Sequence, residues 1–191
     1  LFYEDDFFAR TNHDFADLMK KYKKYIDLPI SFNATIKLTT QKKIDIMLDN
    51  GIEVEELKVG LQTGSERVNR EIYGRDFSND EFIEKVSMLV AKKIPIQVDV
   101  ISDNPFEEFR DKMEALKFYS KLASTLSKFK EASRYFAYMD HKLMFYPGTS
   151  LYEKALKAGV IDDNYIDEVL LTRRTLRRPT EIDLDRIILG L

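Results

Sequence analysis

The chain has 191 residues, 44% of them hydrophobic and 12% aromatic, enough for one sizeable core with a small appended element. Lys plus Arg number 30 against 33 Asp plus Glu, so the net charge of -3 supplies no basic field for nucleic acid or anionic lipid, and no apolar run approaches the roughly 18 residues of a membrane span. The absence of cysteine excludes disulfides, thiolate zinc sites, cysteine nucleophiles and cysteine-ligated clusters, and two histidines, His13 and His141, are too few for a histidine-rich metal site.

Residues 1–2 read as the end of a first strand, with Asp5 and Asp6 just past it. The spacing of Phe15, Leu18, Met19, Tyr22 and Ile26 predicts an amphipathic helix over 12–26, which Pro29 bars from continuing. A second strand is predicted over 30–34, then a helix over 40–50 with Ile44, Met47 and Leu48 on one face, closed by Gly51. A third strand over 57–61 runs into Gln62-Thr63-Gly64-Ser65, where Gly64 permits a tight turn before helical sequence begins near Glu66. Ser78-Asn79-Asp80-Glu81 has the pattern of a capping box and opens a helix reaching about residue 92. A fourth strand over 94–101 ends at Ser102-Asp103-Asn104-Pro105. Residues 107–123 are strongly helical, with Phe109, Met113, Leu116 and Leu122 as apolar positions. Strand and helix thus alternate four times, the rhythm of βα units around a parallel sheet.

Beyond Thr125 the rhythm changes: 135–146 is aromatic and β-prone, Pro147-Gly148-Thr149 is a turn, and a short helix follows over 152–158. We place one domain over residues 1–158 and a charged, mostly helical tail over 159–191. Arg173, Arg174, Arg177 and Arg178 in that tail read as a solvated helical face, in preference to a phosphate or partner contact. The N-terminal residues lack the basic and apolar regions of a signal peptide, so a soluble, cytoplasmic protein is expected. The opening at Leu1, inside strand-like sequence, points to a fragment.

In parallel α/β architectures ligands gather at the carboxyl ends of the strands, where loops vary while the sheet holds them still. Asp5 and Asp6, Asn33 and Thr35, Gln62 and Ser65, and Asp99, Asp103 and Asn104 all fall at such ends, positions that converge on one small polar ligand. Each has a structural alternative: Asp5-Asp6 as a helix cap, Asn33 and Gln62 as buried amides satisfied by backbone, Arg75 as an ordinary surface arginine. Asp99 resists that explanation, because it interrupts Gln97-Val98-Asp99-Val100-Ile101, a pattern that a parallel strand normally keeps apolar. No nucleophile–base pair suggests a catalytic triad, and Gly60-Leu61-Gln62-Thr63-Gly64 lacks the glycine spacing of a dinucleotide fingerprint.

Four motifs in order go further: Phe2-Tyr3-Glu4-Asp5-Asp6-Phe7-Phe8, Val59-Gly60-Leu61-Gln62-Thr63-Gly64-Ser65, Asp99-Val100-Ile101-Ser102-Asp103-Asn104-Pro105 and Tyr146-Pro147-Gly148-Thr149. Together they resemble radical S-adenosylmethionine (SAM) enzymes, especially the branch often joined to a cobalamin-binding domain, over about residues 1–158. The resemblance implies a partial (β/α)6 barrel. In that family a CxxxCxxC loop after the first strand binds a 4Fe-4S cluster, and the second strand ends in a glycine-rich motif that helps bind the SAM amino group. Both are missing here. The remainder resembles strands three to six of the barrel, so four strands are expected. By the same resemblance Asn33, Gln62 and Asp99 lie near the SAM ribose or adenosine, although Asn33 departs from the acidic residue of some relatives, and Arg75 pairs with the SAM carboxylate.

The parent reaction implied is one-electron cleavage of SAM to a 5'-deoxyadenosyl radical, in oxidoreductase or methyl-transfer chemistry on a small molecule. SAM, the 4Fe-4S cluster and cobalamin are the cofactors implied for a full-length parent; none is expected on this chain, which is expected to be inactive alone. Partners other than a small-molecule substrate are not expected, save self-association through the edge that two missing βα units would leave. Two other readings stay open: a cluster-less α/β binding or scaffold module, and an unrelated α/β hydrolase or lyase.

Overall fold

Along residues 96–102 buried and partly exposed side chains alternate, as extended backbone requires, with Ile96, Val98 and Val100 on one face and Gln97, Asp99 and Ile101 on the other. The same alternation governs the neighbouring strand, where Leu57, Val59 and Leu61 are fully buried and Lys58 and Gly60 are not. The computed structural model describes residues 6–170. Within them Ile30–Ala34 (β1), Val54–Gln62 (β2), Ile96–Ser102 (β3) and Phe136–Lys142 (β4) form one four-stranded sheet, ordered as in the sequence and parallel throughout.

Parallel neighbours need crossover connections, and helices supply them. Asn12–Tyr25 (α1) precedes β1, Gln41–Asp49 (α2) links β1 to β2, and Glu66–Glu71 (α3) with Asn79–Ala91 (α4) links β2 to β3. Phe109–Leu126 (α5) links β3 to β4, and Ser150–Lys157 (α6) follows. Hydroxyls start most of them: Thr11, Thr40, Ser65, Ser78 and Thr149 each accept a hydrogen bond from an amide three residues on. Glu108 and Asp111 open α5 with a reciprocal capping box. No helix among the described residues is long and apolar enough to cross a membrane.

The helices bury one face of the sheet, where Leu57, Val59, Ile96 and Val98 join Ile44, Met47, Phe82, Val86, Leu89 and Leu122 in the main core. Four phenylalanines close it at β1: Phe7 stacks within 4.5 Å of Phe32 between ring centroids, and Phe8 and Phe15 meet them edge-on. Asp6 sets this corner, since one carboxylate oxygen accepts from the Phe8 amide and the other from the Thr35 amide, each at 2.9 Å. That bond answers the cap alternative for Asp6. A smaller cluster of Leu143, Phe145, Tyr152, Tyr165 and Val169 packs beyond the carboxyl end of β4, with Tyr73, Ile101 and Phe106 against it.

The sheet is open, with no strand on the outer edge of β1 or β4 among the described residues, as a part of a barrel would be and not a closed one. Two points differ from the sequence reading. The four strands are not the expected four: the strand predicted at residues 1–2 lies outside the described residues, and β4 arises from the aromatic stretch 135–146. There Phe136 and Tyr138 pack edge-on against each other, and Tyr119 of α5 against Tyr138, which gives an edge strand its apolar support. The apolar positions of α5 are divided as well. Leu122 is buried together with Ala115, Phe118 and Leu126, whereas Phe109, Met113 and Leu116 face outward at 70%, 38% and 38% exposure.

Gly64 explains that orientation. A Cβ there would lie 2.7 Å from the Ala115 Cα, so its lack of a side chain lets α5 pack directly on the β2–α3 loop. A buried ion pair locks the contact: Asp111, 2% exposed, accepts from the Ser65 hydroxyl and the Arg67 guanidinium, and Glu114 accepts from Ser65 and the Glu66 amide. Burial works to raise the Asp111 carboxyl, but the bonds from Arg67, the Glu108 amide and Ser65 outweigh it and hold the group below its ordinary range. A depressed carboxylate contributes stability above its unfolded pKa and loses it as the pH falls through the folded one. Asp111→Asn is therefore expected to lower unfolding free energy by about 2–3 kcal/mol at neutral pH. In urea titrations that deficit should shrink as the pH falls below about 4, and a deficit unchanged by acid would count against the ion pair.

Candidate functional site

The face of the sheet opposite the crossover helices carries a polar field. Register places Asn33, Lys58 and Gln97 in one row and Gly60, Asp99 and Met139 in the next toward the carboxyl end, with Ile101 beside His141 beyond them. All are at least partly exposed. Parallel sheets are normally covered on both sides by apolar contacts, so an uncovered polar face is the feature of this fold that asks for a ligand.

The centre of the field is built by an irregularity. Between Gly60 and Gln62 the pairing with β3 shifts by one residue, so Leu61 stays in the core while Gln62 adopts φ 69°, in the left-handed region that non-glycine residues rarely occupy. The bulge folds the Gln62 side chain back over Gly60, where any Cβ would run into its amide nitrogen. The Arg75 guanidinium also arrives there, 3.6 Å from where that Cβ would sit. Gly74, at φ 62°, turns the chain after α3, and the Arg75 amide bonds to the Asn69 carbonyl. Arg75 forms no ion pair among the described residues, and its Nε is buried without a hydrogen-bond partner. An unpaired buried donor is costly, so the site holds an unmet demand for an acceptor.

Asp99 lies on the strand next to Gly60. Its Oδ1 accepts from the Gln97 amide at 2.9 Å and lies 3.2 Å from His141 Nε2, while Oδ2 has no donor among the described residues. Of the four residues singled out from the sequence, Gln62, Arg75 and Asp99 thus come together. Asn33 does not join them: it is on the same face but two strands from Asp99 and one row away, about 10 Å by strand spacing. Sequence reasoning missed His141 and Gln97. Gln97 had a signal, lying two residues before Asp99 and hence on its side of the strand; His141 had none, because only the β3–β4 register brings it to Asp99.

A concavity lies elsewhere. A cavity of about 400 Å³ opens between α5 and β4 on the helix side, lined by Leu116, Tyr119, Leu126, Phe136 and Tyr138 among others, and contains none of the four residues. Its lining is apolar, whereas the polar groups lie on the open face.

A 4Fe-4S cluster does not fit these residues, since the chain has no cysteine, and no group of His, Asp and Glu among the described residues could hold a metal ion. The unpaired Arg75 donor has the chemistry to meet a carboxylate and the Asp99 acceptor that to meet hydroxyl donors, the two kinds of group that SAM carries besides its base and sulfonium.

Backbone strain at Gln62 gives a direct check. Gln62→Gly is expected to raise unfolding free energy by about 0.5–1 kcal/mol, whereas Gln97→Gly, in ordinary strand backbone on the same face, should lower it by about as much. Equal destabilisation by both in denaturant titrations would show that the bulge stores no strain. Comparison with protein-family models gives no match, and comparison with curated proteins gives none either, so the site stands on its geometry.

Proposed function

We propose that the open face binds the adenosyl and methionyl groups of S-adenosylmethionine, as the adenosine-facing part of a radical SAM barrel. The observation that carries this reading is Arg75, a guanidinium without an ion partner, held over Gly60 beside Gln62 and one strand from Asp99. A carboxylate is the planar double acceptor that such a fork suits, and the ribose hydroxyls suit a carboxylate such as Asp99. Asn33 would meet a different part of the nucleoside. An all-parallel sheet with helices on one side and polar groups on the other is also the arc that a (β/α) barrel presents to its interior.

Bound beside a reduced 4Fe-4S cluster, SAM supplies the 5'-deoxyadenosyl radical of such enzymes. This chain cannot ligate that cluster, and its residues would bind and orient the nucleoside: Arg75 neutralises the carboxylate, Gln62 presents its amide, and Asp99 accepts from the sugar. None of the four residues bears on cobalamin. The lack of cysteine favours a second reading, a cluster-less nucleoside-binding module, which uses the same contacts.

Nuclear magnetic resonance (NMR) titration of the isotope-labelled chain with SAM tests the site. Amide shifts are expected at Gln62, Arg75 and Asp99 at millimolar ligand. Arg75→Ala should weaken SAM about tenfold while leaving 5'-deoxyadenosine, which has no carboxylate, unaffected. Shifts confined to the α5–β4 cavity, or none, would remove the site; formation of 5'-deoxyadenosine from SAM by this cysteine-free chain would remove the radical reading.

Self-association belongs to the same proposal, because the outer edges of β1 and β4 have no strand partners among the described residues. Light scattering should show a mass that grows with concentration, and a strictly monomeric mass at the highest concentration would count against it.

A further inference from the structure

No role assigned above uses His141, which with Gln97 is hydrogen-bonded to Asp99. A carboxylate can only accept, so His141 Nε2 donates across the 3.2 Å contact, and in the tautomer that does so with a single ring proton Nδ1 is an acceptor. Neither Nδ1 nor Asp99 Oδ2 has a partner among the described residues. Two free acceptors, joined through one hydrogen bond and borne on adjacent strands, complement two adjacent hydroxyl donors. Met139, beside Asp99 in the register and 44% exposed, and Ile101, beside His141, flank them with apolar surface suited to the carbon skeleton of a sugar.

We propose that Asp99 and His141 form a paired acceptor for a vicinal diol and that His141 thereby sets a preference for ribose over deoxyribose. This rests on the nucleoside reading of the open face and extends it to a residue on a strand that supplies none of the contacts assigned above. Gln97 holds Asp99 Oδ1 from the other side, so the carboxylate is fixed by two donors before any ligand arrives. His141 is half exposed and outside the core, so its replacement leaves the fold intact.

The two histidines make the test clean, because His13 on α1 is almost fully exposed and serves as an internal reference. Imidazole carbon–proton NMR signals are followed while 5'-deoxyadenosine or 2',5'-dideoxyadenosine is added to the full chain. The His141 signal is expected to move and saturate with the ribonucleoside, and to need about tenfold more of the deoxy analogue, while His13 stays still. His141→Ala should abolish that preference and His141→Gln, which keeps a donor and an acceptor, should retain it. If Gln62 and Asp99 amides respond to both nucleosides alike while the His141 signal is unmoved, the inference falls and the nucleoside reading stands. If no open-face signal responds to either nucleoside, both fall.

Discussion

The structure depends on one asymmetry: a parallel sheet that turns most of its large apolar side chains to one face. Parallel pairing forces each connection to cross over, and here the crossovers all cover the face that carries Leu57, Val59, Val98 and Val100. Burying that face supplies the main core, with each large apolar side chain contributing about 1.5–3 kcal/mol. The other face keeps its alternate residues clear of the crossover helices, with Ile101 at its carboxyl end against the smaller cluster. Rows of Asn33, Lys58 and Gln97, then Gly60, Asp99 and Met139, are therefore a consequence of period-two geometry imposed by the core behind them.

Within that frame a local departure from regularity makes the site. A perfectly regular β2 would send Gln62 to the same face as Gly60 one full repeat further along the strand; the one-residue shift instead curls it back over Gly60. Glycine at position 60 matters for the space it leaves, which the Gln62 amide and the Arg75 guanidinium occupy. The left-handed conformation of Gln62 is unfavourable in itself and persists because Leu61 is fixed in the core on one side and Thr63, Gly64 and Ser65 are buried on the other.

The support for this bend comes from α5. Gly64 admits the helix to backbone contact, and the Ser65–Asp111–Arg67 bonds fasten α3 to the same helix turn, so Arg75 at the far end of the α3 segment is held from both directions. Removing Arg67 would leave the buried Asp111 carboxylate without its cation, which is why this pair is structural in role although it lies near the carboxyl end of β2. The cavity between α5 and β4 marks the opposite situation, where an apolar helix stripe and an unpaired strand edge meet with nothing described to cover them.

The sequence by itself determined the order of elements, because their signals are local. Hydroxyl caps at Thr11, Thr40 and Ser78, the positive-φ stop at Gly51, and alternation along 96–102 are written within a few residues of where they act. It also determined which polar residues stand at strand ends, so Gln62 and Asp99 were legible as candidates, whereas Arg75, past α3, stood out only through the resemblance of the motifs; the face of Asp99 follows from its apolar neighbours on either side. Tertiary structure decided what depends on partners far along the chain. Register brought His141 to Asp99 across 42 residues and set Asn33 apart; a bulge, which no periodicity announces, folded Gln62 over Gly60; and a packing contact at Gly64 turned Phe109, Met113 and Leu116 of α5 outward although their spacing matches a core stripe. Local chemistry fixes which way a residue can point along its own element, whereas what it meets there is set by the neighbour that the core places opposite it.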